Sequence, residues 1–313
     1  MRVIINDRKR NVPDFLFVGT GKSGTTSIHF YLKQHPQLFL PEIKEPKFFH
    51  IVSNPNQSMQ KYAKYIVQDF ESYLALFDEA KTEQLCGEVT PSYLYFHNYA
   101  IPNIKKYHPE WEKLKIIIIL RNPVEKAFSQ YVFAKNTHGL TSETFEEGLS
   151  REPMRLKTGD SPPDLFYVDS SMYYSSVKAY MDSFKEVKVF LYDELKNSPE
   201  MLMADMLSFI GANKDFVKQM ELGKRYNPGQ NTLVPRNFGS RVISSILNLN
   251  PSLIKKVLRD VLGQHQMSKA REYLFKEKKE VMSEETAIRL RDTFREDVRR
   301  LEKLINRDLS HWY

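Results

Sequence analysis

Gly19 and Gly24 stand at the spacing of a phosphate-binding loop, and the stretch VGTGKSGTTSIHFYLKQHP, Val18 to Pro36, runs from that loop into a helical pattern. In a nucleoside-triphosphatase loop, GxxxxGK[ST], a lysine follows the second glycine and reaches the β- and γ-phosphates, while the next hydroxyl holds magnesium. Here Thr25 occupies the lysine position, and the loop's own lysine, Lys22, lies inside it. An ammonium placed there reaches a group near the first or second phosphorus and leaves nothing for a third phosphate with its metal. The loop therefore suits a nucleotide whose 5′-phosphate carries something other than a triphosphate.

A second anion site is indicated further along. LRNPVEKAFSQY puts Arg121 at the carboxyl end of an apolar strand and Ser129 about two turns along the following helix. In an open parallel sheet the carboxyl ends of the strands line the ligand crevice. Arg121 is therefore expected beside the first loop, where a guanidinium fork and a hydroxyl suit a separate phosphate.

These residues need elements to position them. Asp14 to Gly19 reads as a buried strand and Thr25 to His35 as a helix ended by Pro36, an order that gathers backbone N–H groups around an anion. A helical pattern covers about Gln60 to Phe77, and LCGEV reads as a short strand. KLKIIIILRNP is an apolar strand stopped by Pro123, which then suits the first turn of a helix to about Lys135. A helix near Ser170 to Phe184, a strand VKVFLY and a helix with Ser198 as N-cap and Pro199 at its first position follow. The segment ELGKRYNPGQNTLVPRNFG reads as a long loop, and the chain beyond it as helical and basic, with the last helix starting near Ser283. Strands separated by helices imply an α/β fold with a mainly parallel sheet covered on both faces.

The bulk of the sequence narrows the function classes. With 313 residues and 41% hydrophobic content, the chain can bury a substantial core, which argues against disorder. Its longest aliphatic run, Ile116 to Leu120, is far short of the roughly 20 residues needed to cross a bilayer, and the N-terminus shows no signal-peptide pattern. A single cysteine, Cys86, rules out an internal disulfide and argues against a zinc cluster, which favours a cytoplasmic address. A net charge of +7 permits an anionic ligand or acceptor.

Taken together the motifs resemble the sulfotransferases that use 3′-phosphoadenosine 5′-phosphosulfate (PAPS). GTGKSGTTSIHFYLKQHP is similar to their 5′-phosphosulfate loop and LRNPVEKAFSQY to their 3′-phosphate motif. KEPKFF, GEVTPSYLY, LGKRYNPG and NRDLSHW look like the carbohydrate branch, which includes heparan-sulfate-type enzymes, so the resemblance spans nearly the whole chain. It implies a P-loop-like three-layer α/β/α fold with a helical C-terminal part. It also implies that Gly21, Lys22, Ser23, Gly24, Thr25 and Thr26 hold the 5′-phosphate, that Lys22 stabilises charge on the departing oxygen, and that Arg121 and Ser129 hold the 3′-phosphate. Lys224 and Arg225, in LGKRYNPG, correspond to a loop that closes over the nucleotide; as residues alone they read as a solvated basic turn.

The resemblance further implies a general base just before paired aromatics, the position of Glu45 in KEPKFF. Read without it, Glu45 is a loop carboxylate paired with Lys44 or Lys47. Glu88, in GEVTPSY, is an alternative base or could orient a lysine, and His50, after Phe48 and Phe49, stands where the small-molecule branch keeps its histidine. Lys47 is a further acceptor-side candidate. DLFYVDSSMYYSS, Asp164 to Ser176, either lines an acceptor groove or packs in the core, and the basic helical stretch from Arg241 either packs on the core or contacts a membrane surface.

The expectation is one sulfotransferase domain over 1–313, with 241–282 as a helical accessory insertion. It moves the sulfuryl group of PAPS to a hydroxyl or amine of a carbohydrate-type acceptor, releasing adenosine 3′,5′-bisphosphate, with no metal and no nucleic acid. The alternatives are a small-molecule or lipid-linked acceptor, a P-loop kinase, and a noncatalytic binding module of the same fold. The paired cysteines and membrane anchor of Golgi relatives are not seen, which favours a cytoplasmic enzyme over a truncated lumenal domain.

Overall fold

A computed structural model describes residues 1–53, 67, 69–159, 161–223, 232–235, 275–278 and 280–313. Its centre is an apolar run that cannot face water. Strand β3 (Phe15–Gly19), which follows a small N-terminal hairpin of β1 (Arg2–Ile5) and β2 (Arg8–Asn11), is buried along its whole length. Such a continuous apolar run, rather than an alternating one, is what a parallel strand covered on both faces requires.

Four further strands complete the sheet: β4 (Leu38–Phe39), β5 (Leu85–Val89), β6 (Lys115–Leu120) and β7 (Glu186–Leu191). Their order is β4-β5-β3-β6-β7 and every pairing is parallel. The chain first builds to one side of β3 and then crosses to the other, so β3 lies at the switch point where ligands bind beyond the strand ends.

The covering layers follow from side-chain alternation. Phe15, Phe17, Ile117 and Ile119 share one core cluster with Ile28 and Leu32 of α1 (Thr25–Lys33) and with Leu202, Met203, Met206 and Leu207 of a helix over Pro199–Ile210. Leu16, Val18, Ile116 and Ile118 point the other way and are equally buried, so both faces are covered. Each fully buried aliphatic side chain contributes about 1.5–3 kcal/mol of transfer free energy.

Among the described residues the other helices are α2 (Phe48–Ile51), α3 (Phe70–Ala75), α4 (Ser92–Tyr95), α5 (His97–Tyr107), α6 (Pro123–Asn136), α7 (Phe145–Thr158), α8 (Tyr174–Ser183), α9 (Tyr192–Asn197), α10, the Pro199–Ile210 helix, and α11 (Glu284–Ile305). In α11 Ser283 accepts from the Thr286 N–H at 3.1 Å, Glu284 and Glu285 lie in the first turn, and the apolar stripe Ala287, Leu290, Phe294, Val298 and Leu301 is buried. Among the described residues no helix is long and apolar enough to cross a membrane.

Several local expectations shift. Of the helix expected over about 60–77, the described part is α3, capped by Asp69, whose carboxylate accepts from the Ser72 N–H; residues 60–66 and 68 lie outside the described residues. Tyr192 ends no strand but opens α9, whose Glu194 carbonyl accepts the Ser198 N–H at 2.8 Å. Pro199 does take the first position of α10, yet the Ser198 hydroxyl makes no cap, because the chain enters from one helix directly into the next. Ser170 belongs to a 3₁₀ turn, Asp169–Ser171, ahead of α8.

Residues 132–142 and 229–282 group as a second compact unit. Within it Thr232–Pro235 and Phe275–Lys278 pair as antiparallel strands. The long loop expected after Glu221 thus contains a strand, and so does the stretch 241–282 expected to be helical. The β-branched Thr232 and Val234 favour that ladder over a helix. The rest of the basic stretch, 241–274, lies outside the described residues.

Candidate active site

The loop at the carboxyl end of β3 is set by two backbone devices. Thr20 donates its N–H to the Ile119 carbonyl at 2.7 Å, tying the loop root to β6. Gly24 then takes φ 79°, the left-handed region that a side chain disfavours, and a Cβ there would lie 2.5 Å from Leu195 of α9. Helix α1 starts immediately after, with no side-chain cap, so its first N–H groups have no partner within the helix. Thr25 is buried and Thr26 half-buried at this end.

Two further features of the loop fit a bound phosphate. Ser23 is fully buried and its Oγ has no hydrogen-bond partner among the described residues. Gly21 borders open space, with nothing within 4 Å of where a Cβ would stand. Lys22 sits between them at φ 66°. Burial, to which the charges of Arg121 and Lys44 add, holds its ammonium down at about 8; Asp164 and Glu45 oppose that shift.

Arg121, at the end of β6, lies beside this loop. Its Nη1 donates to the Lys22 carbonyl at 3.0 Å, and Nε and Nη2 donate to Glu125 Oε2 at 3.0 and 2.9 Å. The guanidinium stacks over the Tyr192 ring at 4.8 Å. Ser129 is half-buried on α6, two turns beyond. Lys224 and Arg225 lie outside the described residues.

The carboxylates divide by environment. Glu45 is partly exposed and flanked by the Lys44 and Lys47 ammonium groups at 3.3 and 3.8 Å, and its charge reaches Lys22. The loop ion pair is thus present, and the Glu45 charge is felt at Lys22. Glu88 is buried, with Oε2 accepting from the Tyr73 hydroxyl at 2.5 Å and Oε1 from the Thr90 hydroxyl at 2.6 Å. Burial raises its pKa, against the pull of those hydroxyls. His50 is buried against Phe96, ring on ring at 4.9 Å, and burial, with Lys47, pushes it down to about 3, so it stays neutral.

Residues that sequence reasoning did not single out form the neighbouring wall. Lys126, one turn before Gln130 on α6, is buried and donates to the Ser170 carbonyl at 2.8 Å and hydroxyl at 2.5 Å. Burial lowers it to about 7, opposed by Glu152, Asp164 and Asp169, with Lys22 adding to the depression. Gln130 donates to the Pro163 and Phe166 carbonyls, and Glu152 accepts the N–H groups of Tyr167, Val168 and Asp169. The segment thus pinned is the DLFYVDSSMYYSS stretch, and part of it packs in the core. Tyr167 and Tyr173 are buried, while Asp169 and Ser170 line a cavity of about 310 Å³ with Thr20, Tyr95, Phe96 and Tyr173. The only sequence signal for Lys126 was its place in an otherwise amphipathic helix, which reads as a solvated face.

The last motif, NRDLSHW, braces the loop from outside. Arg307 pairs with Glu194 at 2.6 Å and Trp312 donates to Asp193 at 3.4 Å, holding α9, whose Leu195 and Tyr192 abut Gly24.

Comparison with known proteins places this arrangement. A family model described as a sulfotransferase domain matches residues 12–302. The crystal structure of a sulfotransferase from Alicyclobacillus acidocaldarius is 27% identical and superposes with a TM-score of 0.70, covering 96% of this chain and 99% of that one. A membrane-associated sulfotransferase of Dictyostelium discoideum is 36% identical over 123 residues, 39% of this chain. A bifunctional heparan sulfate N-deacetylase/N-sulfotransferase of Mus musculus is 25% identical over 214 residues, 66% of this chain. The matched part spans 23% of the length of each of these two relatives.

Proposed function

The chain belongs to the sulfotransferase domain family, and from that premise we propose that it transfers the sulfuryl group of PAPS to a hydroxyl or amine of a carbohydrate-type acceptor. The observation that carries this reading is the pairing of a loop that offers Lys22 and a buried Ser23 hydroxyl with the Arg121 guanidinium on the Lys22 carbonyl. In this reading the loop takes a 5′-phosphate and Arg121 a separate 3′-phosphate, and no lysine stands at Thr25 for a third.

Bound there, the nucleotide supplies an activated sulfuryl group. In this reading the N–H groups at the start of α1 and the Thr25 and Thr26 hydroxyls hold the 5′-phosphate, and Arg121 with Ser129 holds the 3′-phosphate. Lys22 stabilises negative charge as it develops on the leaving oxygen, where a donor contributes most. Glu45 takes the proton of the acceptor hydroxyl. Its partial exposure leaves it open to an acceptor, whereas both oxygens of Glu88 already accept from buried hydroxyls and His50 is enclosed by aromatic rings. Carbohydrate as the acceptor class is supported by the glycan named for the Mus musculus relative.

The test is thermal stability with adenosine 3′,5′-bisphosphate and, separately, with ATP and magnesium. A ligand that binds the native state raises the melting temperature by mass action. A shift with the bisphosphate alone is expected. A shift with ATP and magnesium alone would return the loop to the kinases.

A further inference from the structure

The cavity beside the phosphate loop has a chemical character that narrows the acceptor. Thr20, at the loop root, lines it, and so does Tyr173, whose hydroxyl donates to the Arg121 carbonyl at 3.0 Å. It therefore lies against both halves of the nucleotide site. Phe96, another lining residue, stacks on His50, which follows the Glu45 segment. At about 310 Å³ it is in the size range of small-ligand sites.

Among the described residues its lining includes no lysine and no arginine. The charge it does carry is negative: Asp169, whose Oδ2 accepts from the Tyr95 hydroxyl at 2.5 Å. One buried cation, Lys126, couples to Asp169 and donates to the carbonyl and hydroxyl of Ser170 without lining the cavity itself. His97 also lines the cavity, and burial lowers its pKa, which favours the neutral ring. What remains is a lining of aromatic side chains and the apolar Leu94 and Met172, with hydroxyl groups and the Asn98 amide among them, a mixture that an uncharged sugar ring fits.

We propose that this cavity is the acceptor subsite and that it selects an uncharged hydroxylated ring, with Asp169 as the residue that rejects a carboxylated or sulfated one. The proposal rests on the sulfotransferase reading above, keeps the carbohydrate class, and departs both from the polyanionic acceptor that the net charge of +7 permits and from the anionic heparan sulfate named for the Mus musculus relative. An acceptor anion placed here meets Asp169 with no lining cation to offset it, and like-charge juxtaposition in a partly desolvated site is costly. The discrimination expected is on the order of tenfold or more in affinity.

The experiment measures, by ligand-observed NMR and calorimetry, binding of phenyl β-glucoside and phenyl β-glucuronide to the full chain saturated with adenosine 3′,5′-bisphosphate. The two probes differ by a carboxylate. The glucoside is expected to bind at least about tenfold more tightly, and Asp169→Asn to close most of that gap. Tyr95→Phe, which removes only the hydroxyl donor to Asp169, is expected to keep or widen it. Equal or preferential binding of the glucuronide by the unaltered chain, or a preference untouched by Asp169→Asn, overturns the proposal. So does failure of both glycosides to bind while the bisphosphate still raises the melting temperature, and in that outcome the sulfotransferase reading stands. Failure of the bisphosphate itself to stabilise the chain instead removes the reading underneath.

Discussion

Arg121 Nη1 donates to the backbone carbonyl of Lys22 at 3.0 Å, so the residue proposed for the 3′-phosphate also holds the loop proposed for the 5′-phosphate. The remaining fork nitrogens are satisfied by Glu125 of α6, which also receives Lys196 at 3.6 Å. A dianionic 3′-phosphate would compete with Glu125 for a guanidinium already oriented by stacking on Tyr192.

Arg121→Ala is therefore expected to weaken adenosine 3′,5′-bisphosphate by about 10- to 100-fold, the range of a lost charge-assisted hydrogen bond of roughly 1.5–3 kcal/mol. Adenosine 5′-monophosphate, which has no 3′-phosphate, should lose far less. Calorimetric titration of both ligands checks this; an equal loss would mean that Arg121 acts only by supporting the Lys22 loop.

Glu45→Gln should leave bisphosphate affinity unchanged while turnover falls by about 10²- to 10⁴-fold, the usual contribution of a positioned base. Glutamine keeps the shape between Lys44 and Lys47 but cannot take a proton. Glu88→Gln serves as the comparison. With both its oxygens already accepting from Tyr73 and Thr90, its turnover should stay within a few-fold of the parent once folding is confirmed by circular dichroism. Single-turnover rates separate the two, and full activity in Glu45→Gln would move the base to Glu88 or His50.

Lys22 gives stability and activity opposite pH trends. Its folded value, about 8, lies below the ordinary 10.5 because burial disfavours the ammonium. Below about pH 8 the lysine is protonated in folded and unfolded chains alike, and the full cost of burying the charge applies. Between about 8 and 10.5 the unfolded chain holds the proton that the native one releases, so Lys22 adds to stability as pH rises. Charge stabilisation needs the ammonium, so kcat/KM should fall through the same window. Lys22→Arg is expected to slow turnover by about 10²-fold or more yet abolish this alkaline limb. Lys126, buried and held at about 7, titrates in the same direction, so Lys126→Met is the control. An alkaline limb that survives Lys22→Arg and vanishes in Lys126→Met would assign the titration to the wall rather than the loop.

Much of this site was legible because it depends on local rules. The run Ile116 to Leu120 could only be a buried strand, and a residue just past such a strand in a parallel sheet must face the crevice, which placed Arg121 beside Lys22 before any contact was known. The Tyr95–Asp169 hydrogen bond was not legible, since it joins residues 74 positions apart through the packing of the Asp164 to Ser176 stretch on α6 and α7. Nor was Lys126: a lysine in PVEKAFSQY reads as solvated, and only Ser170 and the carboxylates around it explain why it is buried. The strand at Phe275–Lys278 was missed for a related reason, because its pairing partner, Thr232–Pro235, lies inside what reads as a loop.

Gly21 and Gly24 separate the space a ligand fills from the conformation the chain requires. Gly24 is left-handed at φ 79°, with Leu195 2.5 Å from a Cβ and the Tyr192 ring 3.1 Å away. Gly24→Ala should therefore destabilise the unliganded protein by about 1–3 kcal/mol through backbone strain and displacement of α9. Because α9 also carries Tyr192 under Arg121, bisphosphate affinity should fall with it. Gly21 has neither constraint: its φ is not positive and nothing stands within 4 Å of a Cβ. Gly21→Ala should leave the unliganded melting temperature within a degree or two, equivalent to less than about 0.5 kcal/mol. If a phosphate occupies that open space, the added methyl will still weaken the bisphosphate, by about tenfold for a clash of roughly 1.4 kcal/mol. Melting curves of both variants, with and without ligand, decide this. An unaltered bisphosphate shift in Gly21→Ala would move the phosphate away from Gly21 and toward the Ser23 side of the loop.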